Sequence, residues 1–441
     1  MRSICLTLPT NRACPSTIAA IAEEAAYAAE HFDVEVHLLI LDSSEAFKEH
    51  AEVVRGTRRD RRVVVHHLGE AEQRDFLQRV IRRIETTKPD LMLDLMLPAD
   101  LSYGACTNRA FLISVALGCD SVHRRDSDSR YQVVNGEPAF PIHHELMSLG
   151  ERAADAAHGV SETALAAEHT DKRVAMVGSS FVGELSVDID EIRRLDNDVY
   201  YDVVSLWAPV HWPGEQKRQL VDESFQGAGS DAFAQDHSTL TLVDPMRVDM
   251  CNISFHGVHE RVPLPPATDT IGSDYFLIHL VHDAELPGVL HNRNIVNFYT
   301  GERRTDPGFM AYQTRFAKFL LSMLYFNFIY DRMAQAGPSL LDGRGQVRAS
   351  AVAGFAREST RLDRAENVQR LERLDTAYRK LGGRYATFAD LLASRRERLL
   401  DEAQSDIADF ALLVEAWEPL VRASRVTGLL QPPWRAGGER P

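Results

Sequence analysis

Cysteine is scarce in this sequence of 441 residues, which contains five scattered cysteines and no Cys-x-x-Cys pair. This scarcity argues against a disulfide framework and against a cysteine-based zinc site, and it favours a reducing compartment. The N-terminal residues lack the apolar core of a signal peptide. The longest apolar stretch of the C-terminal half, 319–330, has about a dozen residues, whereas a membrane span needs about 20. We therefore expect a cytoplasmic protein without a membrane span.

Positive charge is also in short supply. Lysine and arginine number 49 against 64 aspartates and glutamates, which gives a formal net charge of −15. A body this acidic repels the phosphate backbone, so we expect no nucleic-acid partner. A small anionic ligand is compatible with this charge where a local cation or metal holds it. The hydrophobic fraction of 44% and the charged fraction of 26% are those of an ordinary globular protein.

The first hundred residues alternate between strand-like and helix-like runs. The strand-like runs span 4–8, 34–41, 62–68 and 90–97, and the helix-like runs span 16–30 and 70–86. This alternation predicts an α/β fold in which helices flank a mostly parallel sheet. Ligands of such sheets bind beyond the carboxyl ends of the strands, which here carry residues 10–12, 42–44 and the segment after Leu97.

Helical patterns dominate from about Asp306 onwards, over 309–334, 346–381 and 388–424. We place an α/β domain over 1–305, an all-helical domain over 306–430 and a flexible tail over 431–441. Apolar residues recur at helical spacing in the first of these helices, and they predict a packing face rather than a cofactor site. They are Met310, Phe316, Leu320, Met323 and Phe326 or Phe328.

The most informative stretch is 102–131. A glycine-containing turn leads into a helix over 107–117, Gly118 ends that helix, and a short strand then places Asp126 and Asp128 at its tip. Two carboxylates at positions i and i+2 of an extended chain point the same way and can share a hard cation such as Mg²⁺ or Mn²⁺, which also bridges a diphosphate. A solvated turn is the alternative reading of this tripeptide alone.

Four segments, in this order, resemble the nucleotide-sugar-dependent glycosyltransferases of the GT-A fold, in particular family-2-like members. They are 8–12, 41–44, the helix with Tyr103-Gly104, Asn108-Arg109 and Gly118, and Asp126-Ser127-Asp128. The resemblance covers about the first 130 residues well and 271–304 moderately, and it extends to a family of actinobacterial natural-product clusters. It implies a Rossmann-like sheet whose first half, 1–131, binds a nucleotide sugar and whose second half, 132–305, binds the acceptor.

The resemblance also implies roles for residues of the donor half. Thr10 and Arg12 would line the nucleoside pocket, Asp42 would accept a hydrogen bond from the base, and Asp126 would face the ribose. Asp128 would ligate Mn²⁺ or Mg²⁺. The family reads Arg-Asn where this chain reads Asn108-Arg109, so the contact of Arg109 with the donor stays open. For Asp42-Ser43-Ser44 a helix N-cap is the alternative.

Residues 271–304 resemble the acceptor side of the same family. Asp274 matches an acidic motif whose carboxylate acts as general base in inverting members, with Asp269 in reserve. The alternative for Asp274 is a helix N-cap or first-turn acid. His291 matches a late histidine that completes the metal shell. Arg293, or else Arg303 or Arg304, would neutralise the departing diphosphate.

Three further groups carry weaker signals. The adjacent His143 and His144 would point to opposite faces of a strand, which disfavours a metal site. His279 and His282 share a helix face and are expected to be structural. Trp207 stands in an expected loop and would either stack on a sugar or apolar acceptor or anchor the core.

Together these observations predict a divalent-metal-dependent glycosyltransferase that moves a sugar from a nucleoside-diphosphate sugar to a hydroxyl or amine of a small-molecule acceptor. One alternative is a sugar-phosphate nucleotidyltransferase, for which 9–12 is a poor phosphate loop because it lacks glycine and lysine. Another is a non-catalytic sugar-nucleotide-binding or docking protein. The C-terminal helices would either cover the acceptor site or form a homodimer interface.

Overall fold

The computed structural model describes residues 1–57, 60–184, 189–229, 233–298 and 301–429, except the side chains of 302 and 303. The tail predicted over 431–441 lies outside these residues. The strands are β1 (Arg2–Thr10), β2 (Val34–Asp42), β3 (Val63–Gly69), β4 (Ser121–Arg125), β5 (Ser129–Tyr131), β6 (Val133–Val134), β7 (Glu137–Pro138), β8 (Glu162–Thr163), β9 (Met176–Gly178), β10 (Phe181–Gly183), β11 (Ser238–Thr241), β12 (Asn252–His256), β13 (Gly288–His291) and β14 (Ile295–Asn297).

The helices begin and end close to glycine, proline or capping residues in several cases. They are α1 (Pro15–His31), α2 (Phe47–Gly56), α3 (Glu70–Ile81), α4 (Pro89–Met96), α5 (Tyr103–Ala116), α6 (Ile142–Ser148), α7 (Ala153–Ala156), α8 (Ile189–Leu195), α9 (Asn197–Val204), α10 (Gly214–Glu223), α11 (Phe276–Asp283), α12 (Asp306–Ala336), α13 (Ala349–Ser359), α14 (Ala365–Leu381) and α15 (Gly383–Thr427). Gly118 follows α5 with a φ of 74°, as its predicted role in ending that helix requires.

The central sheet has the strand order β3-β2-β1-β4-β12-β9-β13-β11-β8. Strands β1 to β4 are parallel, whereas β12 runs antiparallel to both of its neighbours. Alternate residues of β1 enter different cores, since Leu6 packs in one cluster of buried residues and Cys5 in another. Helices therefore cover both faces of the sheet, which confirms the α/β prediction.

The strand order reverses at β1. The chain moves from β1 outwards to β2 and β3, and then returns to place β4 on the other side of β1. Open α/β sheets bind their ligands in the crevice outside the carboxyl ends of the strands at such a reversal. Strand β1 ends at Thr10 and β4 ends at Arg125, so the segments that follow these two residues meet at this edge.

The strand predicted over 90–97 is wrong, because the segment forms helix α4. Pro89 occupies the first turn, and Met92, Leu95 and Met96 are buried at helical spacing. The segment also lacks β-branched residues, which favour strands. The single helix expected over 346–381 is likewise divided into α13 and α14.

The C-terminal helices share a core with the sheet. One cluster of buried residues includes Cys5 of β1, Phe111 of α5 and Trp417 of α15. The Trp417 indole is fully buried, and its Nε1 donates to the carbonyl oxygen of His259 at 2.9 Å. Among the described residues, no helix combines the length and the apolarity that crossing a membrane requires. The domain boundary at 305/306 and the homodimer remain predictions from the sequence.

Candidate active site

A cavity of about 910 Å³ opens at the carboxyl ends of β1, β2 and β4, where the strand order reverses. This volume lies near the upper end of the ~300–1,000 Å³ range of small-molecule sites. The cavity brings together six of the residues singled out from the sequence: Thr10, Arg12, Arg109, Asp126, Asp128 and Asp274. The segment after Leu97 also lines it, although α4 rather than a strand delivers this segment.

An acidic cluster, which comprises Asp126, Asp128, Asp249 and Asp274, lines this cavity. The loop after β4 supplies Asp126 and Asp128, the segment before β12 supplies Asp249, and a single helical turn before α11 supplies Asp274. These aspartates come from three separate parts of the chain. Their convergence is therefore a product of the fold and not of one local turn.

Two arginines face the acidic cluster. The Arg124 guanidinium spans Asp126 and Asp274, with Nη2 at 3.0 Å from Asp126 Oδ1 and Nη1 at 2.8 Å from Asp274 Oδ2. Arg12 Nη1 lies 3.3 Å from Asp128 Oδ2. The fourth carboxylate, Asp249, accepts a hydrogen bond from the Tyr275 hydroxyl. Four carboxylates against two guanidinium groups leave an excess of negative charge in this part of the cavity.

The excess charge appears in the pKa values of the acidic cluster. Burial, together with repulsion from Asp128, Asp274 and Asp249, raises the pKa of Asp126 to about 7 against the opposing effect of Arg124. Burial also raises the pKa of Asp274, and Arg124 again opposes the shift. A divalent cation would relieve this repulsion, and carboxylate oxygens are the donors that Mg²⁺ and Mn²⁺ prefer. The residues present therefore fit such an ion.

Asp42 lies behind the cavity wall and not in it, because its side chain is fully buried. Its Oδ1 accepts hydrogen bonds from the Ser44 amide and hydroxyl, at 2.9 and 2.6 Å. Its Oδ2 accepts from His50 Nδ1 and His67 Nε2, at 2.7 and 2.9 Å. Burial acts to raise the pKa of Asp42, but these hydrogen bonds lower it. With both oxygens occupied, Asp42 orders the Ser43–Ser44 turn that lines the cavity instead of presenting an acceptor to a base.

Asp42, His50 and His67 also offer ligand atoms within 4.8 Å of one another, a spacing that suits a metal ion. The Cys14 amide donates to His50 Nε2 at 2.9 Å, so that nitrogen is an acceptor and Nδ1 carries the proton given to Asp42. Hydrogen bonds within the protein thus account for both ring nitrogens of His50. The acidic cluster differs from this group in that its carboxylates line the cavity.

His291 and Arg293 lie outside the cavity lining, and the metal-binding and diphosphate-binding roles implied for them remain predictions from the sequence. The His291 ring stacks on His144 with centroids 5.4 Å apart, and burial lowers its pKa well below the usual range. Arg293 forms a bidentate pair with Asp236, with both N–O distances 2.7 Å. The charge of Arg293 is therefore compensated by Asp236, and neither residue lines the cavity.

The remaining candidate histidines and arginines also have contacts with neighbouring residues. His143 and His144 belong to helix α6 and not to a strand, which corrects the geometry expected for them. Arg304 pairs with Glu184 at 3.2 Å, whereas the Arg303 side chain lies outside the described residues. His279 stacks on Tyr330 and, unlike the purely structural role expected of it, lines the cavity.

The order Asn108-Arg109 has a physical reason. The Asn108 amide clamps the backbone of Leu264, donating to its carbonyl and accepting from its amide, each at 2.8 Å. This close approach requires glycine one turn earlier, since a Cβ at Gly104 would lie 1.9 Å from the Pro265 carbonyl oxygen. Arg109 reaches the cavity wall, where it donates to Gln73 Oε1 at 2.8 Å. Asn108 therefore holds helix α5 against the Leu264 segment. Arg109, one residue later, places a positively charged side chain at the cavity wall.

Sequence reasoning missed Arg124, Asp249 and three aromatic residues that line the cavity, namely Tyr312, Phe319 and Tyr330. Arg124 precedes the Asp-Ser-Asp motif inside a buried strand, and a buried arginine signals that acidic partners are near. Asp249 lies in no recognisable motif. The packing face predicted for the first C-terminal helix is confirmed for Phe316, Leu320, Met323 and Phe326, which are all buried in one core cluster. Met323 and Phe326 also line the cavity.

The chain belongs to the family described as "Family of unknown function (DUF6271)", whose profile matches residues 2–433. No curated protein gives a significant match. Three solved structures are similar at low TM-scores. A mycobacterial protein has a TM-score of 0.33 and 16% identity, covering 73% of this chain and 74% of that one.

The second structure is glucosyl-3-phosphoglycerate synthase from Mycobacterium tuberculosis with phosphoglyceric acid, with a TM-score of 0.34 and 14% identity over 73% of this chain and 80% of that one. The third is a mannosyltransferase from Pyrobaculum calidifontis with GDP-Man and Mn²⁺. It has a TM-score of 0.35 and 11% identity over 93% of this chain and 86% of that one.

Proposed function

We propose that the chain is a glycosyltransferase that moves a sugar from a nucleoside-diphosphate sugar to a hydroxyl or amine of a small-molecule acceptor. One observation carries the proposal. The acidic cluster and its two arginines lie in a large cavity at the reversal point of an α/β sheet. A site of this kind suits a ligand that combines a diphosphate, a divalent cation and a nucleoside.

The donor half of the site would be the carboxyl ends of β1, β2 and β4. Thr10 and Arg12 follow β1 directly, and Ser43 and Ser44 line the same wall after β2. Asp126 and Asp128 would hold Mn²⁺ or Mg²⁺, which when bound would stabilise the charge that develops on the leaving diphosphate. Arg12, already in contact with Asp128, would lie beside that diphosphate.

Asp274 would act on the acceptor in an inverting reaction. Its carboxylate would take the hydroxyl proton while the acceptor oxygen bonds to the anomeric carbon and the diphosphate leaves with the electron pair of the broken bond. Arg124 holds Asp274 Oδ2 at 2.8 Å and would keep the carboxylate ionised and oriented, although burial raises its pKa. In a retaining reaction the same carboxylate would position the acceptor.

Thermal unfolding with UDP, GDP and dTDP, each with and without Mn²⁺, tests the proposal. A ligand that binds only the folded chain stabilises it by about 2.7 kcal/mol at a concentration of 100 times Kd. We therefore expect at least one of these nucleotides to raise the midpoint temperature of unfolding when Mn²⁺ is present, and not when the nucleotide is added without Mn²⁺. Absence of any metal-linked stabilisation would contradict the proposal. Stabilisation by nucleoside triphosphates instead would favour the nucleotidyltransferase alternative, and binding without sugar transfer would favour a non-catalytic protein.

A further inference from the structure

The cavity has a second part that differs from the donor half in its chemistry. Helix α12 lines it with residues at intervals of seven, four, three and four, which places them on one face of the helix. At about 1.5 Å per residue this face extends for roughly 27 Å. The residues are Tyr312, Phe319, Met323, Phe326 and Tyr330. We call them the aromatic wall.

Apolar side chains from other segments continue the aromatic wall. The Trp207 and Phe319 rings meet edge to face with centroids 5.3 Å apart. The His279 and Tyr330 rings stack with centroids 3.9 Å apart, and burial lowers the pKa of His279 to about 3, so its imidazole is neutral. Further lining residues of the same apolar character are Phe225, Met246, Val248, Met250 and Ile271.

The aromatic wall is contiguous with the acidic cluster. Phe319 packs directly on Gly272, where a Cβ would lie 2.8 Å from the ring, and Gly272 adopts a φ of 72°. Asp274 follows two residues later and pairs with Arg124. His279 follows Asp274 by five residues on α11 and meets the wall at Tyr330. Aromatic rings therefore lie beside the turn that carries Asp274.

This surface favours one class of molecule over others. A sugar or a small hydroxy acid placed against Phe319, Met323 and Phe326 would lose water from polar groups that these three side chains cannot hydrogen-bond in return. A flat aromatic molecule gains from burial, and its ring can meet the ring faces and edges that the wall presents. An aliphatic chain would also gain free energy from burial of its apolar surface, but it has no ring that could stack on the aromatic side chains or meet their edges.

We propose that the aromatic wall is the acceptor subsite and that the acceptor is an uncharged aromatic molecule which presents a hydroxyl to Asp274. This inference rests on the proposed function, whose acceptor it specifies. The C-terminal helices thereby acquire a role, because α12 forms the side of the site that the α/β domain leaves open. The preference for aromatic acceptors is set by α12 and not by the strand ends.

Calorimetric titration of the unaltered chain with umbelliferone, naphthol, decanol and glycerate tests the inference. The two aromatic alcohols should bind, and decanol and glycerate should bind at least tenfold more weakly. Met323→Glu places a charge on the wall and should weaken umbelliferone binding at least tenfold. Phe328→Glu is the matched control, because Phe328 is on the same helix, packs under Arg332 and lies outside the cavity lining.

The outcomes separate the inference from the proposed function. Preferred binding of decanol or glycerate, or equal weakening by both variants, would overturn the inference. Stabilisation by a nucleotide with Mn²⁺ but no binding of the aromatic alcohols would overturn the acceptor class alone. Binding of the aromatic alcohols without stabilisation by any nucleotide with Mn²⁺ would contradict the proposed glycosyltransferase activity, and with it the acceptor role of the wall. If Met323→Glu does not fold, the four titrations of the unaltered chain decide.

Discussion

Arg124 and Arg125 are neighbours on β4, yet they lie in two different charged networks. Arg125 Nη2 lies 2.7 Å from Glu24 Oε1 and 3.0 Å from Glu145 Oε2, and all three side chains are buried. Arg124 leaves the opposite face of the strand and pairs with Asp126 and Asp274 at the cavity. The Arg125 network lies inside the fold, whereas the Arg124 network faces the space where a ligand would bind.

The two networks differ in how fully donors inside the fold hold their carboxylates, since the Tyr131 hydroxyl and the Ile142 amide also donate to Glu24 and His123 contacts Glu145. Burial acts to raise the pKa of Glu145, but Arg125 and His123 lower it to about 2. Burial and neighbouring aspartates raise the pKa of Asp126 to about 7, and Arg124 does not offset them. Carboxylates held by hydrogen bonds inside the fold join its elements, whereas carboxylates that face a cavity with a raised pKa can be stabilised by a cation. Arg125 is therefore structural, and the Arg124 network is the candidate site.

Arg125→Met should have the largest effect on stability. It leaves two buried carboxylates without their cation, so we expect a loss of about 3–5 kcal/mol in the free energy of unfolding. Unfolding in guanidinium chloride measures this loss. Arg124→Met is the matched comparison and should cost less, since its partners face the cavity. A larger loss for Arg124→Met would mean that the two networks have been assigned the wrong way round.

Asp274→Asn should have the next largest effect. We expect this variant to lose turnover and not stability. Removing a general base lowers kcat by roughly 10²–10⁴-fold. Stabilisation by nucleotide with Mn²⁺ should persist, because Asp126 and Asp128 remain. Steady-state transfer assays and thermal unfolding of the same preparation measure the two quantities. Unchanged turnover in the variant would show that Asp274 is not the general base.

Asp126→Asn should have a smaller effect that depends on pH. In metal-free folded protein the pKa of Asp126 is raised from 3.8 to about 7, so ionisation of this group lowers stability as pH rises through that window. The variant lacks this ionisation. Its stability relative to the unaltered chain should therefore rise between pH 4 and pH 8, as measured by unfolding in chelator-treated buffer. A difference independent of pH would contradict the charge excess.

The same contrast explains what the sequence could and could not reveal. The alternation of strand-like and helix-like runs and the Asp126-Ser127-Asp128 tip are local patterns, and they predicted the sheet and part of the candidate site. The Arg124–Asp274 pair joins residues 150 positions apart, and no local pattern announces such a contact. The strand prediction over 90–97 failed because apolar periodicity alone does not distinguish a strand from a buried helix in a short apolar run.

Two residues of the predicted site lie outside the cavity lining. His291 and Arg293 stand where a metal ligand and a phosphate-binding arginine were expected. Their surroundings are supplied by distant segments, with His144 against one ring and Asp236 against the other side chain. Of the aromatic wall, the sequence singled out Met323 and Phe326, and only as packing residues, because spacing along a helix does not show which core residues also line a cavity.

The acidic cluster is proposed to bind a divalent cation together with a nucleotide. Thermal unfolding of the unaltered chain, Asp128→Asn and Asp33→Asn, each with nucleotide and Mn²⁺, tests it most directly. Asp33 is an exposed aspartate between α1 and β2, at the opposite edge of the sheet, and serves as the control. We expect metal-linked stabilisation in the unaltered chain and in Asp33→Asn, and its loss in Asp128→Asn. Equal stabilisation of all three chains, or of none, would contradict the claim.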